Sequence, residues 1–186
     1  MPRWEPDARE RLVIAALQLF SEQGYDETTV AQIAERSGVT PSTFHRHFPD
    51  KRDILAAGQE ALSRLLTEGI ARAAADASPL EAVADGLTRA ATAYRPERSA
   101  LVAAAVATST ELQARAALKQ VGTTAAMADA LIARGVSATL ARLAAEVGAL
   151  ALKGGFTTWI AGGTRDDLGT LMCAELDRLR STAAEL

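Results

Sequence analysis

Aromatic side chains make up only 4% of this 186-residue sequence, it holds a single cysteine, and its formal charge is −3 rather than positive. Each scarcity removes a class of protein. One thiol, Cys173, cannot form an internal disulfide framework and suits a reducing, cytoplasmic setting. Few aromatics and abundant alanine favour helices over strands, and no period-two run occurs. The apolar-rich stretches are all interrupted by Arg, Lys or Glu, so no membrane span is expected. The opening Met1-Pro2-Arg3-Trp4-Glu5-Pro6 starts no apolar segment of the secretory kind. There is no G-x-S-x-G, no P-loop, no H-E-x-x-H and no phosphate-cradling glycine loop, so neither an enzyme nor a cofactor is expected. The acidic balance means that a case for nucleic acid must rest on where charge is placed.

What is present is a succession of helix starts and stops. Apolar residues are 48% and charged residues 23%, the balance of a folded globular chain. Leu12, Ala15, Ala16, Leu19 and Phe20 recur at helical spacing, which predicts a first helix from Asp7 to Gln23 ended by Gly24. Thr29-Val30-Ala31-Gln32 has capping-box spacing and opens a second helix. After the turn Ser37-Gly38-Val39, Thr40 caps a third helix with Pro41 at its first position, ending near Phe48. Asp50 can cap a fourth helix running continuously through Ile54, Leu62 and Ile70. Ser78-Pro79-Leu80-Glu81 and Pro96 open further helices, and Thr108-Ser109-Thr110 precedes a long one that stops at Gly135. Ser137 opens a helix to about Ile160, and Thr164 caps the last. The expectation is an all-α chain of about nine helices: a three-helix head with a helix-turn-helix over residues 1–52, and a helical domain over 53–186.

Function concentrates in residues 29–51. Two short helices meet at a tight glycine turn, and Val39, Phe44 and Phe48 can pack on Ile33 and Ala34. That leaves Thr40, Ser42, Thr43, His45, Arg46 and His47 facing outward. From Arg36 to Arg52 there are four basic side chains against one acidic, although residues 1–53 as a whole carry seven basic and nine acidic ones. Positive charge therefore gathers around the third helix, where it suits phosphate contacts. His45 and His47 do not read as a metal pair, because i and i+2 positions on a helix point apart. Lys51 stands at a helix start, where the helix dipole disfavours a cation, and this favours a phosphate role for it.

The run from Thr28 to Thr40, followed by Thr43-Phe44-His45-Arg46-His47-Phe48-Pro49-Asp50-Lys51, resembles the DNA-binding signature of the TetR repressor family; the detailed likeness covers about residues 8–56. The resemblance implies that Thr29 and Gln32 lie near a phosphate and that Ala31 faces the major groove, where its methyl can touch a thymine methyl but cannot hydrogen-bond. It implies that Thr40, Pro41, Ser42 and Thr43 form the groove-facing edge of the recognition helix, with Arg46 beside it, and that His47 and Lys51 hold phosphates. His45 stands where the family usually has tyrosine. Arg3 would belong to an arm reaching the flanking backbone or minor groove.

The resemblance also implies a ligand-responsive transcriptional regulator, foremost a repressor. It would bind a palindromic operator in double-stranded DNA as a homodimer and be released by a small-molecule effector. The alternative is a ligand-binding or adaptor protein of the same fold without DNA binding. The dimer would use the last two helices, through Leu143, Val147, Leu150, Gly155, Leu168, Leu171, Met172 and Leu176. An effector pocket between the middle helices would draw on Tyr94, Thr108, Gln113, Met127 and Trp159.

Overall fold

The computed structural model describes residues 7–56 and 59–185. Among them are nine α-helices, one 3-10 turn and no strand: α1 (Ala8–Gln23), α2 (Val30–Arg36), α3 (Pro41–His47), the 3-10 turn Lys51–Ala56, α4 (Gln59–Arg72), α5 (Pro79–Ala91), α6 (Pro96–Thr108), α7 (Thr110–Ala133), α8 (Ala138–Ala161) and α9 (Leu168–Ala183). The all-α expectation holds. Two local expectations do not. Residues 51–56 form a 3-10 turn, not the start of a continuous helix from Asp50; the Asp50 backbone N–H donates to the Asp53 carboxylate at 3.1 Å, an arrangement of its own ahead of α4. The cap of α9 is Asp167, whose carboxylate accepts from the Thr170 backbone N–H at 2.7 Å and its hydroxyl at 2.8 Å. Thr164 instead sits in the preceding turn at φ 60°. Those two hydrogen bonds hold the Asp167 carboxyl below the usual aspartate range.

The chain forms two compact units that are not contiguous in sequence. The first joins Met1–Ala57 to Arg95–Ala117, and the second joins Gly58–Tyr94 to Leu118–Leu186. In the first, α1 packs on α2, α3 and α6. Its core includes Leu12, Ala16, Leu17, Phe20, Ile33, Phe44, Phe48 and Ile54, with Ala105 of α6 and Leu112 of α7. The head is thus closed by a helix some seventy residues downstream, and Arg98 of α6 pairs with Glu10 of α1 at 3.3 Å. Periodicity shows that a helix has an apolar face; it does not show which partner covers it.

In the second unit α4 packs on α5, and α5 on α8 and α9. Glycine sets the closest approaches. A Cβ on Gly69 of α4 would lie 2.6 Å from the Gly86 Cα of α5, and one on Gly155 of α8 would lie 2.7 Å from the Met172 Cα of α9. Helices approach this closely only where no side chain intervenes. Arg134 ties the end of α7 to the end of α4 by donating to the carbonyls of Ala71, Ala73 and Ala74 at 3.4, 3.0 and 2.6 Å. Tyr94, Phe156 and Trp159 form an aromatic cluster with ring centroids 5.5–6.4 Å apart. Burial pushes the Tyr94 hydroxyl up to about 12.

Candidate nucleic-acid interface

The two short helices owe their positions to caps and one aromatic core. The Thr29 hydroxyl accepts from the Gln32 backbone N–H at 3.3 Å, and the Gln32 side-chain oxygen accepts from the Thr29 backbone N–H at 2.8 Å. This is the reciprocal capping box expected of α2, and it satisfies backbone donors that the first turn leaves open. Gln23 of α1 also donates to the Gln32 oxygen at 3.3 Å, which ties the cap to the preceding helix. For α3, the Thr40 hydroxyl accepts from the Thr43 backbone N–H at 3.2 Å, and the two hydroxyls are 3.1 Å apart. Gly38 makes the turn between the helices at φ 69°, a conformation that disfavours a side chain. Phe44 is wholly buried, and its ring meets Phe48 at 5.7 Å and His45 edge-on at 5.4 Å.

This scaffold presents Ala31, Gln32, Thr40, Pro41, Ser42, His45 and Arg46 to the surface, with Thr43 half-buried beside them. Thr29 is exposed as well. The outward face expected for α3 is therefore present, with hydroxyls at its start and Arg46 along its side.

Four charged or polar groups behave otherwise than expected. His47 is half-buried, and its Nε2 is enclosed without a hydrogen-bond partner. An enclosed nitrogen cannot reach a phosphate, so any such contact would fall to Nδ1. The local positive charge is also largely spoken for. Arg36 is paired with Glu22 of α1 at 2.6 Å, and Arg52 with Asp50 at 3.5 Å. Lys51 directs its ammonium inward, to the carbonyls of Tyr25, Asp26 and Thr28 at 2.7, 3.3 and 2.8 Å. Counting charge along the sequence overlooked these partners because Glu22 lies on another helix and the carbonyls carry no formal charge. Of the four basic residues between 36 and 52, Arg46 keeps its guanidinium unengaged among the described residues. Arg9 of α1 adds a cation that sequence reasoning missed, placed 5.2 Å over the Phe48 ring. Arg3 lies outside the described residues.

Residues 12–57 match the family model described as "Bacterial regulatory proteins, tetR family". Over this segment the chain is similar to the TetR family. Among its relatives, the HTH-type transcriptional regulator TcmR of Streptomyces glaucescens is 39% identical over 75 residues, covering 40% of this chain and 33% of TcmR. The regulator BetI of Stenotrophomonas maltophilia (strain R551-3) is 37% identical over 87 residues, covering 44% of each. The chain therefore spans between a third and just under a half of these curated relatives. Both relatives are named as transcriptional regulators rather than enzymes. The TetR-family fold extends over nearly the whole chain. A putative TetR-family regulator from Syntrophomonas wolfei superposes with a TM-score of 0.66 at 18% identity, covering 96% of this chain and 95% of that one. FadR from Bacillus subtilis, solved with stearoyl-CoA, gives 0.60 at 20% identity, covering 91% and 96%.

Beyond the TetR-family head, the structure separates the residues expected to bind effector. Tyr94 and Trp159 come together in the aromatic cluster, joined by Phe156, which the sequence did not single out. Met127 is fully buried in the second unit, against the space a Gly148 side chain would need. Thr108 and Gln113 are exposed and belong to the first unit, because α6 and the start of α7 pack there. Tyr94, Met127 and Trp159 belong to the second. The dimer residues also divide. Gly155, Leu168, Met172 and Leu176 are buried inside the protomer, where α8 packs on α9, and so cannot themselves meet a partner. Leu143 and Leu150 are 61% and 51% exposed, Leu140 is 46% exposed, and Val147 and Leu171 are half-buried.

Proposed function

We propose that this chain is a ligand-responsive transcriptional repressor that binds a palindromic operator as a homodimer. The observation that carries the reading is the exposed Thr40–Thr43 edge of α3, held by two capped helices within a TetR-family head. The hydroxyls of Thr40, Ser42 and Thr43 read base edges, the Ala31 methyl meets a thymine methyl, and Thr29, Gln32, His45 and Arg46 reach the phosphates. Selection of bound duplex from a random pool is expected to recover a palindrome, with log affinity falling linearly with log salt concentration. Recovery of no duplex would overturn the reading in favour of a ligand-binding or adaptor protein. The neutralised Arg36 and Arg52 favour that second reading, since they leave the head with little free positive charge.

The homodimer rests on Leu140, Leu143, Val147 and Leu150, which recur along one face of α8 away from its buried alanine and glycine face. An exposed leucine stripe of this kind fits a second copy of the same face, joined with Leu171 of α9 in a four-helix arrangement. The double variant Leu143→Glu/Leu150→Glu is expected to sediment as a monomer. It should also lose at least about a hundred-fold in affinity for the palindrome, equivalent to ~3 kcal/mol. A variant that still sediments as a dimer would rule out this face.

The effector is an apolar or amphipathic small molecule bound in the helical domain, with Tyr94, Phe156 and Trp159 as its aromatic wall; the stearoyl-CoA complex of the structurally similar FadR supports a ligand of that kind. Release follows by population shift. DNA-bound heads are spaced by about one turn, roughly 34–36 Å, and an effector that prefers another spacing lowers operator affinity.

A further inference from the structure

The loop between α1 and α2 has five successive carbonyls to satisfy, from Gly24 to Thr28, and no helix or strand to satisfy them. Thr28 donates its hydroxyl to the Gly24 carbonyl at 2.7 Å and its N–H to the Tyr25 carbonyl at 3.3 Å. Gln23 donates to the Glu27 carbonyl at 3.1 Å. The remaining two, Asp26 and Thr28, converge with Tyr25 on one point, the Lys51 ammonium, which meets these three carbonyls at 2.7–3.3 Å. The same nitrogen lies 4.3 Å from the centre of the Tyr25 ring. An ammonium has three N–H donors, and here there are three acceptors, with a π face closing one side. The loop it gathers leads into Thr29, the cap of α2, and the ammonium holds the carbonyl just before that cap from 23 residues away in sequence.

We propose that Lys51 is a positioning residue, the internal cation of the α1–α2 loop, and that it acts on DNA affinity by holding the Thr29 cap in place and not by touching a phosphate. This rests on the DNA-binding reading above, but the cage itself can be tested without DNA. A lysine on a phosphate keeps its ammonium accessible in the free protein and adds a counterion to those released on binding. A caged lysine does neither.

Three measurements on the full chain decide it. In wild-type protein without DNA, acetylation of Lys51 by an amine-reactive ester, followed by mass spectrometry, is expected to run at least about ten-fold slower than in the urea-unfolded chain. In Lys51→Met, amide exchange over residues 25–33 is expected to accelerate at least about ten-fold. On the selected palindrome, Lys51→Met should lose about ten-fold or more in affinity with its salt slope unchanged, whereas losing one phosphate contact per protomer would reduce the slope by about 1.8 for the dimer. Unprotected Lys51, unchanged loop exchange or a reduced slope would each overturn the proposal. If Lys51→Met does not fold, the wild-type labelling decides alone. If no duplex is bound at all, the DNA-binding reading fails while labelling and exchange still decide the cage.

Discussion

Phe44→Ala is expected to destabilise the chain by about 3–5 kcal/mol, the range for truncating a fully buried phenylalanine. Phe44 has no exposed surface and touches the ring of Phe48 within a core shared by Leu12, Phe20 and Ile33. Its position makes the loss worse than its area alone. Helices α2 and α3 have seven residues each, far too short to persist without packing. Phe44 is the only residue of α3 that is fully buried, so its removal frees the recognition helix from its support. Against a total stability of roughly 5–15 kcal/mol for a folded domain, this is enough to unfold much of the population. Urea unfolding followed by circular dichroism measures it. A loss below about 1 kcal/mol would mean that the head is held by something other than this core. Phe44→Leu, which retains much of the volume, should fall well short of the alanine loss.

Gly69→Ala is the second large effect, and its sign is the informative part. At an exposed helix position glycine to alanine stabilises by about 1 kcal/mol, because alanine is the better helix former. Here the new methyl would sit 2.6 Å from the Gly86 Cα and 2.7 Å from the Asp85 carbonyl oxygen. Both obstacles are backbone, so no side chain can rotate away and α4 and α5 must separate. Overpacking of this kind costs typically 1–3 kcal/mol, and separation of the two helices would also loosen Leu66, Ile70 and Leu87 around them. The expected net result is destabilisation by about 1–3 kcal/mol in thermal or urea unfolding. Gly154→Ala is the control. The atoms nearest its methyl all belong to the side chain of Glu175, which is half-buried, pairs with the exposed Arg178 and, unlike backbone, can swing aside. Gly154→Ala should therefore be neutral or slightly stabilising. Equal effects at the two positions would contradict the close crossing of α4 and α5.

Much of the head was legible in the sequence because its determinants are local. Thr29 and Gln32 form a capping box because they are three residues apart; Thr40 caps α3 with Pro41 at its first position for a similar reason, and Gly38 and Gly24 sit where the backbone turns to positive φ. The pattern of Ile33, Val39, Phe44 and Phe48 is compact in sequence, so one segment contains most of its own packing partners. The stops at Gly135 and just past Ile160 were readable on the same terms. The last cap was not, because Thr164 and Asp167 are both acceptable caps and only the path of the turn between them decides which is used.

Tertiary structure decided everything that depended on a distant partner. The sequence determines an all-α chain, where most of its helices begin, and which side of α3 is polar, since capping and periodicity act over three or four residues. It does not determine that α6 closes the head through Ala105, because an apolar face accepts any complementary face. Nor does it show that Gly155, Leu168, Met172 and Leu176 are buried where α8 packs on α9, while Leu143 and Leu150 stay exposed. Charge is the clearest case. Read along the chain, Arg36, Arg46, Lys51 and Arg52 are a cluster of like charge. In three dimensions Glu22 and Asp50 neutralise two of them and three backbone carbonyls enclose a third, because an ion's partners are set by distance in space and not by position in sequence.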